Sequence, residues 1–455
     1  MTATTELPAR RVPILGEYDV VVIGGGPAGI MAATAAARAG RSTILIERYG
    51  FLGGAGTMGG LSTFCGLHAR VYGEDRLVVH GYTDELLERL EAMDGLNAPH
   101  LTIENRIMAV AFDISAYKIA ADDLVVSSGA ELLFHAAVTD VVMGADDRIE
   151  GVVVESKSGA GVVRGRFFID GSGDADVAAW SGARYERSEH LLYPSLMFRI
   201  NGVDPAEAGE AWRTIRTLME DAEEAGTHSF PRKKPIVRPQ RNPLEWRSNL
   251  TQLSNADGSA IDGTDVRQLT RGELQGRQQV RDTFAFIREH TPGFQDAYVV
   301  DIAPQIGIRE TRRIVGPYQL TEDDVLDCVD FDDTIGVNGW PVEAHVQGDV
   351  EFRFPRAEHT RGFNQLPYRM LVPEGVGNLL VAGRCASMTQ LGQSSGRVTG
   401  PCFVMGQAAG VAADLALSAD VTAGGVDVAT LQQRLVADGA YLGTDLPADV
   451  VSVAR

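Results

Sequence analysis

Two of the nine histidines stand out as chemistry-bearing. His345 follows Trp340-Pro341 in a stretch read as a loop of polar and aromatic residues, and His68 follows a glycine-rich run. An imidazole titrates near neutral pH, so either is a candidate base for a proton on a reacting molecule. Arginines are candidates to hold that molecule, because a guanidinium grips a carboxylate through two parallel hydrogen bonds. Arg309 and Arg312 fall in IGIRETRRIVG (306–316), and Arg397 falls at a glycine- and serine-rich turn before a late helix. If 306–316 is a strand, Arg309 and Arg313 share one face and Arg312 points to the other. A salt bridge to Glu310, or to an acid of the inserted segment in a chain with 61 acids, accounts for these arginines equally well. Tyr368 and Asn364 are further hydrogen-bond donors in loops.

These side chains need a scaffold, and YDVVVIGGGPAGIMAATAAARAGRSTILIE (18–47) supplies its first part. Asp19–Ile23 reads as a strand, Ile30–Ala39 as a helix ended by Gly40, and Ser42–Ile46 as a second strand closed by Glu47. Gly24, Gly26 and Gly29 have G-x-G-x-x-G spacing. The first glycine makes the tight turn, the second lets a pyrophosphate approach the backbone, and the third lets helix and strand pack closely. The helix N-terminus adds unpaired amides and a positive dipole. Glu47 stands where a carboxylate accepts both hydroxyls of an adenosine ribose. Strand, helix, second strand and acid in register point to a dinucleotide site.

The composition narrows the partners. A chain of 455 residues with 44% hydrophobic content can build a large core and more than one folding unit. A net charge of −20 argues against nucleic acid or an anionic membrane as a general partner. Cys65, Cys328, Cys385 and Cys402 contain no C-x-x-C pair, which argues against a disulfide framework, a zinc site and a dithiol centre. Arg10-Arg11 is followed by the first strand rather than a signal-type apolar run, and no stretch is read as long enough to span a membrane. The expected compartment is cytoplasmic, and a homo-oligomer is allowed.

Residues 1–16 read as a lead-in, and glycines 53–60 after Glu47 suggest backbone lying against a ligand. Tyr82–Met93 and Ile114–Ser127 read as amphipathic helices. Glu131–Val138, Asp140–Met143, Ile149–Ser156 and Val162–Ile169 read as strands, with a turn at Asp146-Asp147, the last running into Asp170-Gly-Ser-Gly-Asp174. Residues 190–375 differ in character. Helices are expected at Pro205–Ala225 and Thr270–His290, with Phe230–Asp265 as long loops that cover a substrate. A strand at Leu379–Ala382, a turn through Gly392–Gly396 and a helix over Pro401–Leu417, with Thr399 as its N-cap, complete the pattern. The expected units are 17–189 and 376–420 as one cofactor-binding domain, 190–375 as an inserted cap, and 421–455 as a helix and tail.

The late module selects the dinucleotide. A nicotinamide enzyme of this type does not require a second turn and helix near the C-terminus. A flavin does, because a late helix N-terminus can stabilise charge on the reduced ring. Taken together, EYDVVVIGGGPAG (17–29), IER with LGG (46–54), FFIDGSGDADVAAWSGA (167–183), IGIRETRRIVG (306–316), NLLVAGRCAS (378–387) and GQAAGVAADLA (406–416) carry a resemblance over nearly the whole chain. The chain resembles the FAD-dependent oxidoreductases of the FAD_oxidored group, with the glutathione-reductase-like FAD fold. The resemblance implies an α/β Rossmann-like domain with a β-meander and an inserted α+β substrate domain.

Position by position, it implies that Gly24, Gly26 and Gly29 hold the pyrophosphate and Glu47 the ribose. Arg48, Gly53, Gly54 and Thr57 would line the phosphate and ribityl path, and Val138 would meet adenine. Gly173 and Asp174 would sit beside the cofactor, Gly383 and Arg384 at the ribityl–phosphate region, and Ser395, Arg397 and Val398 at the flavin pyrimidine edge. Gly383-Arg384 departs from the Gly-Asp or Gly-Glu of many such flavoproteins, and Arg384 is open to a phosphate contact or a salt bridge. His345 matches a family motif position. With no histidine between Glu47 and Thr57, noncovalent FAD is expected, although Cys65 and His68 remain open as links. The expected activity is that of a dehydrogenase or oxidase. It takes a hydride from a small polar organic substrate, with an anionic one allowed, and dioxygen or an external acceptor receives the electrons. Two alternatives stay open: reduction of an activated alkene by an external donor, and a flavin-binding or assembly component without net redox.

Overall fold

The computed structural model describes residues 11–102, 105–356 and 360–444, with the single positions 5 and 9. Most of the expected lead-in, and the tail past 444, lie outside the described residues. The first strand, Ile14–Ile23, begins inside the stretch read as lead-in.

The chain is built on a seven-stranded sheet. Glu131–Leu133, Thr43–Ile46, Ile14–Ile23 and Gly159–Asp170 lie side by side and parallel. Val20, Val21 and Val22 are buried on both faces of their strand, which is why that run is continuously apolar rather than alternating. Gly159–Asp170 is twelve residues long and shares one edge between two partners. Residues 159–164 pair antiparallel with Ile149–Ser156. Phe168–Asp170 pair in parallel with Leu379–Val381, which returns from near the end of the chain. Ala137–Met143 completes the meander, and its turn has Asp146 and Asp147 both at positive φ, 56° and 52°. Aspartate tolerates this left-handed conformation, which suits a two-residue hairpin.

Three local expectations are corrected. The strand read as Glu131–Val138 is interrupted at Phe134–Ala136. There His135 takes φ 54°, and His135 and Ala136 donate instead to the carbonyls of Tyr49 and Glu47. The turn read at 392–396 is a helix, Gln390–Gly396, started by Thr389 accepting from the Gly392 amide. Capping and burial of Gln393, Ser394 and Ser395 outweigh the poor helix propensity of glycine and serine. The next helix therefore starts at Thr399, with Val398 rather than Thr399 at the N-cap.

Two helices lock the sheet's cofactor edge. Pro27–Arg38 follows the first strand, with proline in the first turn where its missing N–H is harmless. Thr399–Ala419 crosses it at backbone contact. A Cβ on Gly406 would stand 2.1 Å from Ala28 O, and one on Gly410 2.4 Å from Ala32 O. By length and apolarity the late helix could cross a membrane, contrary to the sequence reading, yet 72% of its apolar window is buried inside the protein.

The segment expected as one cap contributes to two cores. Leu196 to Ile306 form a separate apolar cluster. It comprises the helix Val266–His290 and a four-stranded sheet of Phe198–Asn201, Ile236–Pro239, Trp246–Asn249 and Tyr298–Ile302. Two of those strands lie in the stretch read as loops. The helix expected over Pro205–Ala225 breaks at Gly209, φ 48°, into Pro205–Ala208 and Ala211–Glu224. Leu320, Ile335, Val337, Leu366 and Tyr368 join the first core instead. IGIRETRRIVG is a strand only at Arg313–Ile314.

Candidate functional site

The carboxyl ends of four parallel strands open on one cavity. Gly24 and Gly26 line it after the first strand, Glu47 and Arg48 after the second, Gly173 and Asp174 after the long strand, and Gly383 and Arg384 after the last. Gly54, Val138, Arg397 and Val398 complete the predicted residues that line it. Open α/β sheets bind ligands at this edge.

The glycines divide by function. Gly24 has φ +92° and makes the turn. A Cβ on Gly29 would stand 1.8 Å from Gly24 O, so that glycine serves packing. A Cβ on Gly26 would meet nothing closer than Gly54 Cα at 3.9 Å, so it would project into the cavity. Gly53 does not line the cavity; it takes φ +107° and donates to Gly25 O at 2.8 Å. Thr57 and Ser395 do not line it either. Thr57 Oγ1 donates to Leu52 O at 2.6 Å. Ser395 Oγ accepts from Asn338 Nδ2 at 2.6 Å and donates to Trp340 O.

Charged groups ring the cavity. Glu47 Oε2 accepts the Gly25 amide at 2.6 Å and Oε1 the Tyr49 amide at 2.9 Å. Burial pushes its pKa up, which favours further donors such as hydroxyls on the remaining lone pairs. Asp174 Oδ1 accepts from Thr311 at 2.7 Å and from Arg384 Nη2 at 2.8 Å, while Arg384 Nη1 is buried without a partner among the described residues. Arg384 is thus both a salt bridge and an incomplete one. Arg312 is committed at the strand end, with Nε on Asp174 O at 2.9 Å and Nη2 on Asp176. The pairing with Glu310 belongs to Arg313. Burial, with Asp174 and Asp170 near, pushes Asp176 up to about 6.

Behind Arg397 lies a cluster of arginines that the sequence only half announced. Arg309 is 7% exposed, and its guanidinium donates to Tyr193 O at 2.7 Å and Ser195 Oγ at 2.8 Å. Burial, with Arg397 and Arg232 as neighbours, drives its pKa well down. Arg232 donates to Asn249 Oδ1 at 2.8 Å, and Arg247 to Leu61 O at 3.4 Å; burial lowers each to about 10. Arg397 donates to Glu343 O at 3.2 Å. The Nε atoms of Arg247 and Arg397 are buried without partners among the described residues. Glu343 is the acid at the centre. It accepts from Trp340 Nε1 at 2.8 Å and lies 3.1 Å from His345 Nε2. Burial alone would raise its pKa, but His345 and Arg397 hold it down at about 2.

The histidines stand apart from the cavity. His345 is buried on a strand, Val342–Val346, not in a loop, and burial together with Arg309 drives its pKa well below the usual value. His68 lies on His68–Val71 and lines a second cavity with Trp340, Asn338 and Asn364. Its Nδ1 is buried without a partner among the described residues, and burial lowers its pKa. Neither it nor Cys65 lines the main cavity. Tyr368, proposed as a donor to substrate, donates to Ala423 O at 2.7 Å. Arg232, Arg247 and Glu343 escaped the sequence reading. The arginine density of 232–247 was their one signal.

The residues fit FAD. The bare face of Gly26, the unpartnered Nη1 of Arg384 and a buried carboxylate at Glu47 are what a pyrophosphate and a ribose require. Fold and site together define a dinucleotide-binding α/β protein. The chain belongs to the FAD dependent oxidoreductase family, whose model matches residues 19–435, and is an enzyme with FAD as its cofactor. It is similar to the thiamine thiazole synthase of Methanococcus vannielii, at 33% identity over 176 residues, 36% of this chain and 59% of that protein. It is also similar to the dihydrolipoyl dehydrogenase of Trypanosoma brucei brucei, at 53% over 45 residues, 10% of this chain and 9% of that one. The chain thus spans about three-fifths of the length of the first of these. Among solved structures, a geranylgeranyl bacteriochlorophyll reductase-like protein from Thermoplasma acidophilum matches 96% of each chain with a TM-score of 0.44 and 13% identity.

Proposed function

We propose that this oxidoreductase takes a hydride from a small, polar, anionic organic substrate and passes the electrons to dioxygen or an external acceptor. The cationic wall of the cavity carries the reading: Arg397 lines it with Arg309 as a charged neighbour, and neither forms a salt bridge among the described residues, which leaves positive charge for a substrate anion. Bound FAD supplies the two-electron acceptor. The branching of Gly159–Asp170 between meander and late strand supports a glutathione-reductase-like arrangement, with Leu196–Ile306 as the inserted cap. Gly26 and Arg384 hold the pyrophosphate, and Glu47 the ribose. Val398, beside Arg397 in the cavity wall, would meet the flavin's edge.

The residues of this cluster bind and orient. Arg309 is held by Tyr193 O and Ser195 Oγ, so its position does not depend on the ligand. His345 is a positioning residue in this reading. It fixes Glu343, whose carbonyl in turn holds Arg397. His68, in its own cavity, takes no part. The likeness to thiamine thiazole synthase covers 36% of the chain and brings no substrate to this reading.

Anaerobic mixing of the holoenzyme with matched small hydroxy acids, amino acids and their amides, followed by flavin absorbance, tests it. Bleaching by acids but not by their amides is expected. Bleaching by neither class, or by the amides equally, overturns it. The same arginines would hold an enoate. A photoreduced enzyme that is inert to air but reoxidised by an enoate would make the reductase direction the correct one.

A further inference from the structure

The second cavity, the one that His68 lines, measures about 300 Å³, within the roughly 300–1,000 Å³ of small-molecule pockets. Trp340, Phe354, Phe363, Ile107 and Pro341 give it an apolar, largely aromatic wall. Its two buried amides are already engaged. Asn338 Nδ2 donates to Asn364 Oδ1 at 2.9 Å, and Asn364 Nδ2 to Gln365 O at 2.8 Å. His68 is the exception, because its Nδ1 is buried without a partner among the described residues. An unsatisfied buried polar atom is a mark of ligand and water sites.

The cavity's charge is of one sign. Arg70, Arg106 and Arg356 line it, all three exposed, and no acid occurs among the described lining residues, in a chain of net charge −20. Arg356 is neutralised by Asp327 at 2.6 Å and by Asp323. Arg70 and Arg106 form no salt bridge among the described residues. Arg106 lays its guanidinium over the Phe354 ring, 3.6 Å from the centroid, which uses its face and leaves its N–H edge for an acceptor. Arg70 donates from Nε to Gly73 O and from Nη1 to Asn105 O, both at 3.3 Å. The Asn105 carbonyl is bonded directly to the Arg106 nitrogen, so the two cations share one stretch of the rim. A solvated arginine needs no partner for stability. What singles out this pair is its place on the rim of an aromatic cavity, which matches a molecule with one anionic end and one flat apolar end.

We propose that this cavity binds an aromatic carboxylate, its ring among Trp340, Phe354 and Phe363 and its carboxylate held by Arg70 and Arg106. The site is separate from the cofactor cavity and does not depend on the substrate reading above. Trp340 stands between the two. It packs with Val398, which lines the main cavity, and its Nε1 donates to Glu343. A ring bound against Trp340 therefore adjoins the cofactor wall without touching the cofactor.

Calorimetry on the holoenzyme tests this with three probes: 2-naphthoate, 2-naphthamide, which keeps the rings without the charge, and acetate, which keeps the charge without the rings. Naphthoate is expected to bind at least about 10-fold more tightly than either. Arg70→Gln combined with Arg106→Gln should remove its preference over naphthamide, and restoring a cation with Arg106→Lys should return part of it. Naphthamide equal to naphthoate overturns the anionic assignment, and acetate equal to naphthoate overturns the aromatic one. No binding of naphthoate overturns the site itself. A preference unchanged in the double variant also overturns it, by placing the acid elsewhere, such as at Arg397. Should the double variant misfold, Arg70→Gln alone, which removes only two contacts of 3.3 Å, is read in its place.

Discussion

Replacing Gly26 by alanine should separate folding from cofactor binding. Gly26 has φ −75° and ψ −177°, a conformation alanine adopts without strain. Its Cβ would lie 3.9 Å from Gly54 Cα, an ordinary contact, so the apoprotein should gain or lose less than about 1 kcal/mol. The new methyl does, however, stand in the cavity where the pyrophosphate approaches the turn. Displacing a phosphate there loses one or two hydrogen bonds to an ionised group, roughly 1.5–3 kcal/mol each. A loss of about 3 kcal/mol weakens FAD binding about 100-fold. Gly29→Ala is the control. Its Cβ would overlap Gly24 O at 1.8 Å, so the fold itself must shift, at about 3 kcal/mol. Urea unfolding of deflavinated protein and FAD titration by fluorescence quenching measure the two effects separately. Wild-type FAD affinity in Gly26→Ala would refute the reasoning. So would equal destabilisation of the apoprotein by both variants.

Other outcomes follow from the same site. Ser395→Ala removes an acceptor for Asn338 and a donor to Trp340, and should lower stability by about 1–2 kcal/mol with FAD affinity unchanged; a large affinity loss would return Ser395 to the cofactor. Arg384→Met leaves Asp174 with Thr311 alone and removes the unpartnered Nη1, so FAD should bind at least about 10-fold more weakly by titration. The depressed pKa of Glu343, about 2 against 4.5, makes its ionised form a stabilising contribution above pH 4.5, lost as the pH falls through about 2. The stability difference between wild type and Glu343→Gln should therefore shrink across that window in acid unfolding. A difference that stays constant there would show that Glu343 does not titrate as described.

How much of this was legible in the sequence depends on distance along the chain. The first strand, its glycines and Glu47 are local, and their spacing alone positions them. The helix Ile114–Ser127 was legible for the same reason: periodicity and the Asp113 cap act within one element. Gln390–Gly396 misled because its glycines and serines favour a turn locally, and only burial makes it helical. The break at His135 depends on the carbonyls of Glu47 and Tyr49, more than eighty residues earlier. Arg309 and Arg312 sit three residues apart and read alike, yet one faces Ser195 and the other Asp176. That difference is set by the cap. Arg232 and Arg247 have no periodic pattern around them, and their role appears only when the insert folds over Leu61.

The branched edge of Gly159–Asp170 has a consequence for how the protein is made. In a chain synthesised from its amino end, the antiparallel neighbour Ile149–Ser156 is present as soon as that strand emerges. The parallel neighbour Leu379–Val381 arrives more than 200 residues later. At about 5–20 residues per second, that wait is on the order of ten seconds or more. Through it, Phe168 and Ile169, which are fully buried in the finished molecule, sit on an open strand edge. The wall carrying Gly383, Arg384 and Arg397 is missing for the same interval. FAD therefore meets its complete site only once Arg397 and Val398 have been made, and until then the nascent chain's exposed edge is the segment a chaperone would have to shield.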